Sequence, residues 1–395
     1  MRVGHVRALT GLRILAALWV VFYHLTRANR DVMMNQFPNS WEYWQPFANT
    51  GVRGVDLFFI LSGYVLALNY LHRIGGRFDL RATGRFVWAR VARIWPMYIV
   101  AVHLCAVVII INDFWFNTGG LNKMTGGAYI RQLLLIQEWG WTGDRVKTWA
   151  GPGWSLSAEW LAYLLFPLLA LVVVRVGMVA RARTTLVMAF MALVPLMIVN
   201  VAQGSFGGPG GGWTVRIVTD FVAGMLLYTA ISKVKPTQTH RHLAGIGTIV
   251  SIVAIFAVMY VGDELWQRSF VIVLFLPLIA CLAIGSGPVE HVLSTRLMVL
   301  GGGLSYALYL IHTTGLRFYR NLADHLGWAD SQPLWSWIGE LAMVPLLIGI
   351  AYLLYRYIEE PARRAMRSML DLEVPVTSER KVPEPEKEKA PVPSA

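Results

Sequence analysis

Apolar segments long enough to cross a lipid bilayer recur along the whole chain. The hydrocarbon core of a bilayer is about 30 Å thick, so a spanning helix needs roughly 20 mostly apolar residues. Only 15% of the residues are charged, whereas soluble domains average about 25%. We therefore predict an all-α integral membrane protein, a bundle of about ten transmembrane helices. The predicted spans are 8–27, 55–71, 91–111, 153–175, 184–202, 214–231, 243–261, 268–285, 298–317 and 335–357.

The net charge of +12 has the arrangement of a topology signal, not that of a nucleic-acid surface. Basic residues form short blocks between apolar segments, and the densest block lies in residues 72–93, which we predict to be a cytoplasmic loop. Alternation from that loop places both termini in the cytoplasm. We expect a multi-pass protein of the cell membrane, with the lipid bilayer as partner and no nucleic-acid partner. Arg13 interrupts the first apolar segment and no small-residue cleavage site follows, so we expect that segment to be a retained span and not a signal peptide.

The composition changes abruptly near the end of the chain. Residues 371–395 are rich in Pro, Glu, Lys and Val and show no periodicity. We predict a transmembrane domain over 1–367 and a disordered cytoplasmic tail over 368–395. Cys105 and Cys281 both sit in apolar segments, so neither a disulfide framework nor a metal site is predicted.

The first predicted span carries two ionisable residues, Arg13 and His24. A charge at the centre of a span costs on the order of 2.5 to 3.5 kcal/mol, so each needs a partner or a function. Eleven residues are close to three helical turns, which places both side chains on one face about 16 Å apart. His24 suits a general base acting on a hydroxyl group, or it is a hydrogen-bonded structural residue. Arg13 either serves the same site or extends its charge toward the membrane surface.

Two carboxylates follow in later spans. Asp56 opens the second span, where it either stabilises the helix N-terminus or pairs with Arg13 or orients His24. Glu159 lies inside the fourth span with few polar neighbours, and there we favour a functional role. We take Arg13, His24, Asp56 and Glu159 as the candidate catalytic residues.

Further candidates lie on three other segments. Arg90 and Arg93 share a helical face with Arg85 slightly behind, an arrangement that suits a polyphosphate anion or ordinary anchoring at the membrane surface. Tyr309 and His312 form a polar pair in YALYLIH, a pattern that most often serves only to pack one helix against another. Ser155 lacks the G-x-S-x-G surroundings of a nucleophile. We assign Ser155, Tyr309 and His312 as candidate substrate-binding residues, and Arg85, Arg90 and Arg93 as candidate cofactor-binding residues.

Taken together, these segments resemble the acyltransferase-3 family of integral membrane O-acyltransferases. An arginine, ten residues and a histidine occur in LTGLRILAALWVVFYHL. The other family blocks follow in order over residues 9–364: GVDLFFILSGYVL, the Arg90 and Arg93 pair, WSLSAE, YALYLIH and IEEPARR.

The resemblance implies transfer of an acyl group, most simply acetyl, from acyl-CoA to a hydroxyl of a glycan, glycolipid or macrolide. It implies His24 as the base and Arg90 and Arg93 near the phosphates of an acyl-CoA that enters from the cytoplasm. Acyl-CoA is then a co-substrate, with acetyl-CoA preferred, and no permanently bound cofactor is expected. No soluble hydrolase-like domain follows the tenth predicted span, so we expect the membrane-only form of the family.

A secondary transporter is the alternative function. Ionisable residues in several spans, among them Arg13, His24, Asp56, Glu159 and His312, would then form a proton or ion relay. Their clustering in the first four spans, without matching broken helices in two halves, argues against that alternative. The identity of the acceptor and the length of the acyl chain stay open at this point.

Overall fold

The computed structural model describes residues 3–140, 149, 151–204 and 212–370, and every regular element in these ranges is helical. Ten helical segments there are long and apolar enough to cross a membrane, which confirms the predicted all-α membrane class. Each predicted span overlaps one of them. The α-helices are α1 Val3–Ala28, α2 Arg30–Gln36, α3 Pro38–Thr50, α4 Gly54–Ile74, α5 Leu80–Phe116, α6 Gly126–Leu133, α7 Gly153–Val179, α8 Ala182–Met191, α9 Val194–Gln203, α10 Gly212–Ser232, α11 Gln238–Val261, α12 Leu265–Arg268, α13 Val271–Ile284, α14 Pro288–Leu293, α15 Arg296–His325, α16 Trp328–Ser331, α17 Pro333–Leu354 and α18 Glu360–Ser368.

Three shorter elements join these helices. Gly51–Arg53 and Gly120–Lys123 form 3₁₀ turns, and Tyr355–Glu359 forms a π-helical turn between α17 and α18. The helix α18 ends at Ser368, next to the predicted domain boundary. Of the predicted tail 368–395, residues 371–395 lie outside the described residues.

The basic segment 72–93, predicted as a loop, is mostly helical. Helix α4 continues to Ile74 and α5 begins at Leu80, so the arginines from Arg81 onward belong to α5. Arginine is a good helix former, and a search for apolar windows detects only the part of a helix that lies in hydrocarbon. With 37 residues, α5 is about 55 Å long, well beyond a bilayer core of about 30 Å. Its basic first turns therefore extend past the hydrocarbon.

Asp79 fixes the start of α5. Its side chain accepts hydrogen bonds from the backbone N–H groups of Arg81 at 2.8 Å and Ala82 at 3.2 Å, the geometry of a helix N-cap. The backbone hydrogen bonds from Ala82 and Arg81 hold the pKa of the Asp79 carboxyl below its usual value. The start of α5 is therefore set by local sequence.

Four helices form the centre of the bundle: α1, α4, α10 and α15. Their apolar windows are the most buried of the ten segments. Helix α1 packs along α15 and α4, α4 packs along α10, and α15 also contacts α5 and α17. Helices α7, α8, α11 and α13 pack around this centre. The residues that carry chemistry on α1, α4, α7 and α15 therefore face one another inside the bundle.

Two glycines bring α4 and α10 into backbone contact. A Cβ atom on Gly63 would lie 2.0 Å from the carbonyl oxygen of Phe221, and one on Gly224 would lie 2.0 Å from that of Ile60. Such spacing admits only hydrogen at these positions, which is how small residues let helices approach closely in membranes. The relative position of α4 and α10 thus depends on these glycines.

We expect Gly224→Ala to lower the midpoint of thermal unfolding of the detergent-solubilised protein. The added methyl group meets backbone, so the helices must separate, and overpacking of this kind costs about 1–3 kcal/mol. Gly349→Ala on α17 is the matched control, because no atom lies within 4 Å of its added Cβ. Equal midpoints for the two variants would contradict the close contact.

Candidate active site

His24 and His312 meet inside the bundle, near the end of α1. The Nδ1 atom of His24 lies 2.9 Å from the carbonyl oxygen of Val20 and 3.3 Å from Nε2 of His312, and the two ring centroids are 5.0 Å apart. The Nδ1 atom of His312 lies 2.8 Å from the carbonyl oxygen of Tyr309. The pair joins the first and ninth predicted spans, which sequence spacing alone does not bring together.

These contacts fix the tautomers of both rings. A carbonyl oxygen only accepts, so each Nδ1 carries the proton that it donates. His312 then presents an unprotonated Nε2, which accepts from the shared Nδ1–H of His24. The remaining ring nitrogen of His24, Nε2, keeps its lone pair. His24 is half-buried whereas His312 is fully buried, so His24 is the member of the pair with access to a substrate.

Ser155 and Tyr309, two predicted substrate-binding residues, are in direct contact. The hydroxyl groups of the two side chains lie 2.7 Å apart, and Ser155 also donates to the carbonyl oxygen of Pro152. Both side chains are buried, and the ring of Tyr309 lies against that of His312 with centroids 5.8 Å apart. The contact fixes α7 against α15 beside the histidine pair. The structure thus brings Ser155, Tyr309 and His312 into one cluster.

The guanidinium of Arg13 makes few polar contacts with the protein. Its guanidinium carbon lies 5.7 Å from the centre of the Phe58 ring, and its Nε is buried with no hydrogen-bond partner among the described residues. Glu159 and Glu359 act on it electrostatically without a direct ion pair in that part of the chain. Arg13 therefore has hydrogen-bonding capacity to offer to a substrate inside the bundle.

Glu159 is held by two hydroxyl donors. Ser62 donates to its Oε1 atom at 2.6 Å, and Tyr163 donates to the same oxygen at 2.5 Å. A carboxylate with two donors is positioned and partly neutralised inside the bundle. The predicted functional role of Glu159 stays a prediction, but its place next to Arg13 is consistent with that role.

Asp56 pairs with Arg216, so the predicted pairing of Asp56 with Arg13 or His24 is wrong. The Nε and Nη2 atoms of Arg216 donate to the two carboxylate oxygens at 2.5 and 2.6 Å, and Nη2 also donates to the carbonyl oxygen of Val52 at 3.1 Å. Asp56 is fully buried. The bidentate fork of Arg216 occupies both of its oxygens, and His312, not Asp56, is the side chain that contacts the His24 ring.

The Asp56–Arg216 pair belongs to a larger buried charged cluster. Asp220 lies one turn along α10 from Arg216 and is fully buried, and Arg53 donates to the hydroxyl of Ser269 at 2.5 Å. The guanidinium of Arg216 lies over the ring of Trp154, 5.2 Å from its centre. Four ionisable side chains thus connect α4, α10 and the 3₁₀ turn before α4.

The three arginines of α5 differ in their surroundings. Arg85 is exposed, Arg90 donates to the hydroxyl of Tyr70 at 3.1 Å, and Arg93 forms an ion pair with the buried Glu359. Because Arg93 is already paired, a phosphate would compete with Glu359 for it. Arg85 and Arg90 are better placed for an anion that arrives from the aqueous phase.

Arg216 and Glu359 were missed by the sequence analysis. Arg216 lies inside the predicted span 214–231, where the cost of a membrane charge is itself a signal that a partner exists. Glu359 was visible only as part of the IEEPARR block. The π-helical turn that ends at Glu359 is a local irregularity of a kind that often marks functional sites.

A metal centre has no support in the part of the chain that the structure describes. No group of three or more His, Cys, Asp or Glu side chains there is arranged to hold a metal ion.

Comparisons with known proteins give relatives by sequence, while no solved structure matches the chain. The acyltransferase MdmB of Streptomyces mycarofaciens is 25% identical over 387 residues, which are 92% of this chain and 93% of that protein. The peptidoglycan O-acetyltransferase OatA of Listeria monocytogenes is 25% identical over 381 residues, 91% of this chain and 56% of that protein. The chain therefore spans little more than half the length of the Listeria relative.

The match to the family covers most of the described bundle. A family model described as an acyltransferase domain matches residues 6–356, from the start of α1 into the π-helical turn. The match includes the histidine pair, Arg13, Glu159 and the arginines of α5. The chain belongs to the acyltransferase-3 family, as the ordered sequence blocks indicated.

Proposed function

We propose that this protein transfers an acetyl group from acetyl-CoA to a hydroxyl of a sugar-containing acceptor, such as a surface glycan, a glycolipid or a macrolide. The observation that carries the proposal is the hydrogen-bonded state of His24, whose Nε2 keeps its lone pair while its Nδ1–H is held by Val20 and His312. Family membership and the names of the relatives support acyl transfer over an ion relay.

In the proposed reaction His24 is the general base. Its Nε2 takes the proton of the acceptor hydroxyl as the oxygen attacks the carbonyl carbon of the thioester. A new C–O bond forms, the C–S bond breaks, and CoA leaves as a thiolate that takes the proton from Nε2 of His24, which gives the free thiol and restores the base. Arg13, whose Nε is uncommitted inside the bundle about 16 Å along α1 from His24, would guide the arm of the donor toward the base.

The donor would approach from the basic end of α5. Arg85 and Arg90 would contact the CoA phosphates, and Arg93 would join them or maintain its pair with Glu359. We place this end in the cytoplasm, where acetyl-CoA is made, together with both chain termini. The His24 end would then face the acceptor on the opposite side of the cell membrane.

The test is acceptor-dependent consumption of acetyl-CoA. The full chain in lipid vesicles, supplied with radiolabelled acetyl-CoA and a panel of sugars, oligosaccharides and macrolides, should release free thiol and form a labelled ester with at least one acceptor. An ion or substrate flux without thiol release would instead support the transporter. Amide formation on an amine without ester formation on any hydroxyl would contradict O-acylation.

We expect His312→Gln to lower the turnover number about tenfold, a part of the roughly 10²- to 10⁴-fold that a general base contributes. Val20 still holds the Nδ1–H of His24 in this variant, so the ring keeps one of its two positioning contacts. The KM for acetyl-CoA should not change, because His312 acts through the position of the His24 ring. A rise in this KM that accompanies the loss of turnover would indicate a purely structural role.

A further inference from the structure

Two arginines stand around the exposed side of His24. Both Arg27, on the last turn of α1, and Arg320, on α15, act electrostatically on the His24 ring. Arg27 is exposed, and the side chain of Arg320 is 33% exposed. Along the helices, Arg27 lies about 4.5 Å beyond His24 and Arg320 lies about 12 Å beyond His312. The two guanidinium groups therefore belong to the region through which an acceptor reaches the base.

Protein contacts hold both arginines in place while leaving donors free. Arg27 donates from Nη1 to the hydroxyl of Tyr23 at 2.6 Å. Arg320 forms an ion pair of 3.2 Å through Nε with Glu340, which also accepts from Asn29 at 2.7 Å. Among the described residues, the Nη2 atom of Arg27 and both Nη atoms of Arg320 have no hydrogen-bond partner. The forked edge of each guanidinium thus stays available to a ligand.

Arg27 has no carboxylate partner among the described residues. The buried Glu340 pairs with Arg320, and Asp324 of α15 acts electrostatically on Glu340 without forming an ion pair with either arginine. A guanidinium fork matches the geometry of a carboxylate or a phosphate and binds it through parallel charge-assisted hydrogen bonds. A sugar ring with an anionic substituent is of the right size to bridge the axial offset of about 4.5 Å between Arg27 and His24.

On the basis of the proposed function, we infer that Arg27 and Arg320 bind an oxyanion of the acceptor, a phosphodiester or a carboxylate, while a neighbouring hydroxyl meets Nε2 of His24. The acceptor class is then an anionic glycoconjugate, and a neutral sugar is a poor substrate. A phosphate of this kind belongs either to the glycan itself or to the headgroup of a lipid that carries it.

The binding test uses the purified full chain in zwitterionic nanodiscs at low salt. Glucose 1-phosphate and glucuronate should bind saturably and raise the midpoint of thermal unfolding, whereas methyl glucoside should not. Arg27→Gln and Arg320→Gln should each weaken this binding at least tenfold. Arg320→Lys keeps a cation beside Glu340, so this variant should fold even if Arg320→Gln does not. It should still weaken binding, because lysine lacks the guanidinium fork. Arg317→Gln is the matched control, an exposed arginine on the same helix, and should bind as the unmodified protein does.

A second experiment distinguishes an anion on the glycan from an anion in a lipid headgroup. Phosphatidylglycerol added to the nanodiscs should compete with glucose 1-phosphate only if the site accepts lipid headgroups. Binding of the lipid without any binding of the sugar anions would mean that the arginines anchor the helices at the membrane surface, and would overturn the inference.

The third experiment measures the steady-state kinetics of acyl transfer. The arginine variants should raise the KM for an anionic acceptor at least tenfold while the KM for acetyl-CoA stays unchanged. An equal loss with anionic and neutral acceptors would overturn the inference. If the sugar anions bind and the variants weaken that binding, but no acceptor causes thiol release, the anion site stands and the proposed acyl transfer fails.

Discussion

His24→Gln should reduce acceptor-dependent thiol release by about 10²- to 10⁴-fold, the usual contribution of a general base. Glutamine keeps a polar side chain of similar reach but takes up no proton from a hydroxyl group. The midpoint of thermal unfolding should stay close to that of the unmodified protein, because His24 is half-buried and its main protein contacts are two hydrogen bonds. The measurement is the initial rate of thiol release from acetyl-CoA at saturating acceptor.

His103 provides a matched control for this substitution. It is another histidine on a membrane-spanning helix, and its Nδ1 lies 2.8 Å from the carbonyl oxygen of Ile99, the same i−4 contact that His24 makes with Val20. His103 has no role in the proposed reaction, so we expect the His103→Gln variant to release thiol at the same rate as the unmodified protein. If the His24→Gln variant releases thiol at the full rate, His24 is not the general base.

Arg216→Met should destabilise the bundle strongly, because it leaves Asp56 as a buried carboxylate without its partner. Breaking one side of a buried ion pair costs about 3–5 kcal/mol, whereas replacing both sides by apolar residues is often neutral. The double variant Asp56→Leu with Arg216→Met should therefore recover much of the lost stability. Unfolding by heat or by a denaturing detergent, followed by size-exclusion chromatography, measures both effects.

The same pair of variants decides what Asp56 does. If Asp56 is structural, the stable double variant should recover activity together with folding. If Asp56 takes part in catalysis, the double variant should fold and remain inactive. Arg356→Gln is the control, since the Arg356 side chain is 55% exposed and Arg364 still pairs with Glu360 in this variant. Its loss should cost about 0–1 kcal/mol.

The number and order of the spans could be predicted because hydrocarbon imposes one requirement on every spanning helix. A window of about 20 apolar residues is a local property, and a linear search finds it. The limits of the same search appear at Leu80, where α5 begins amid arginines that favour helix but not hydrocarbon. The 72–93 prediction went wrong at this point, since water-exposed helical turns carry no apolar signal.

The sequence predicted some of the residues that belong to the candidate site, but it did not predict which of them pair with one another. His24, Arg13 and Glu159 stood out because each is ionisable in an apolar segment. The partner of Asp56 is 160 residues away, and the choice between Arg13 and Arg216 depends on how α4 is rotated against α1 and α10. That rotation is set by Gly63 and Gly224, whose role is invisible until two helices are placed side by side.

The long-range pairs also impose an order on synthesis. The residue separations are 160 for Asp56 and Arg216, 288 for His24 and His312, and 266 for Arg93 and Glu359. A chain that emerges from its N-terminus therefore inserts the early member of each pair well before the late member exists. Until then Asp56 and Arg93 must stay near water or near lipid headgroups, because an unpaired charge at the bilayer centre is costly. The early spans thus gain their partners in steps, Asp56 when α10 arrives and Arg93 when Glu359 arrives, and a nascent chain released before α15 has no histidine pair.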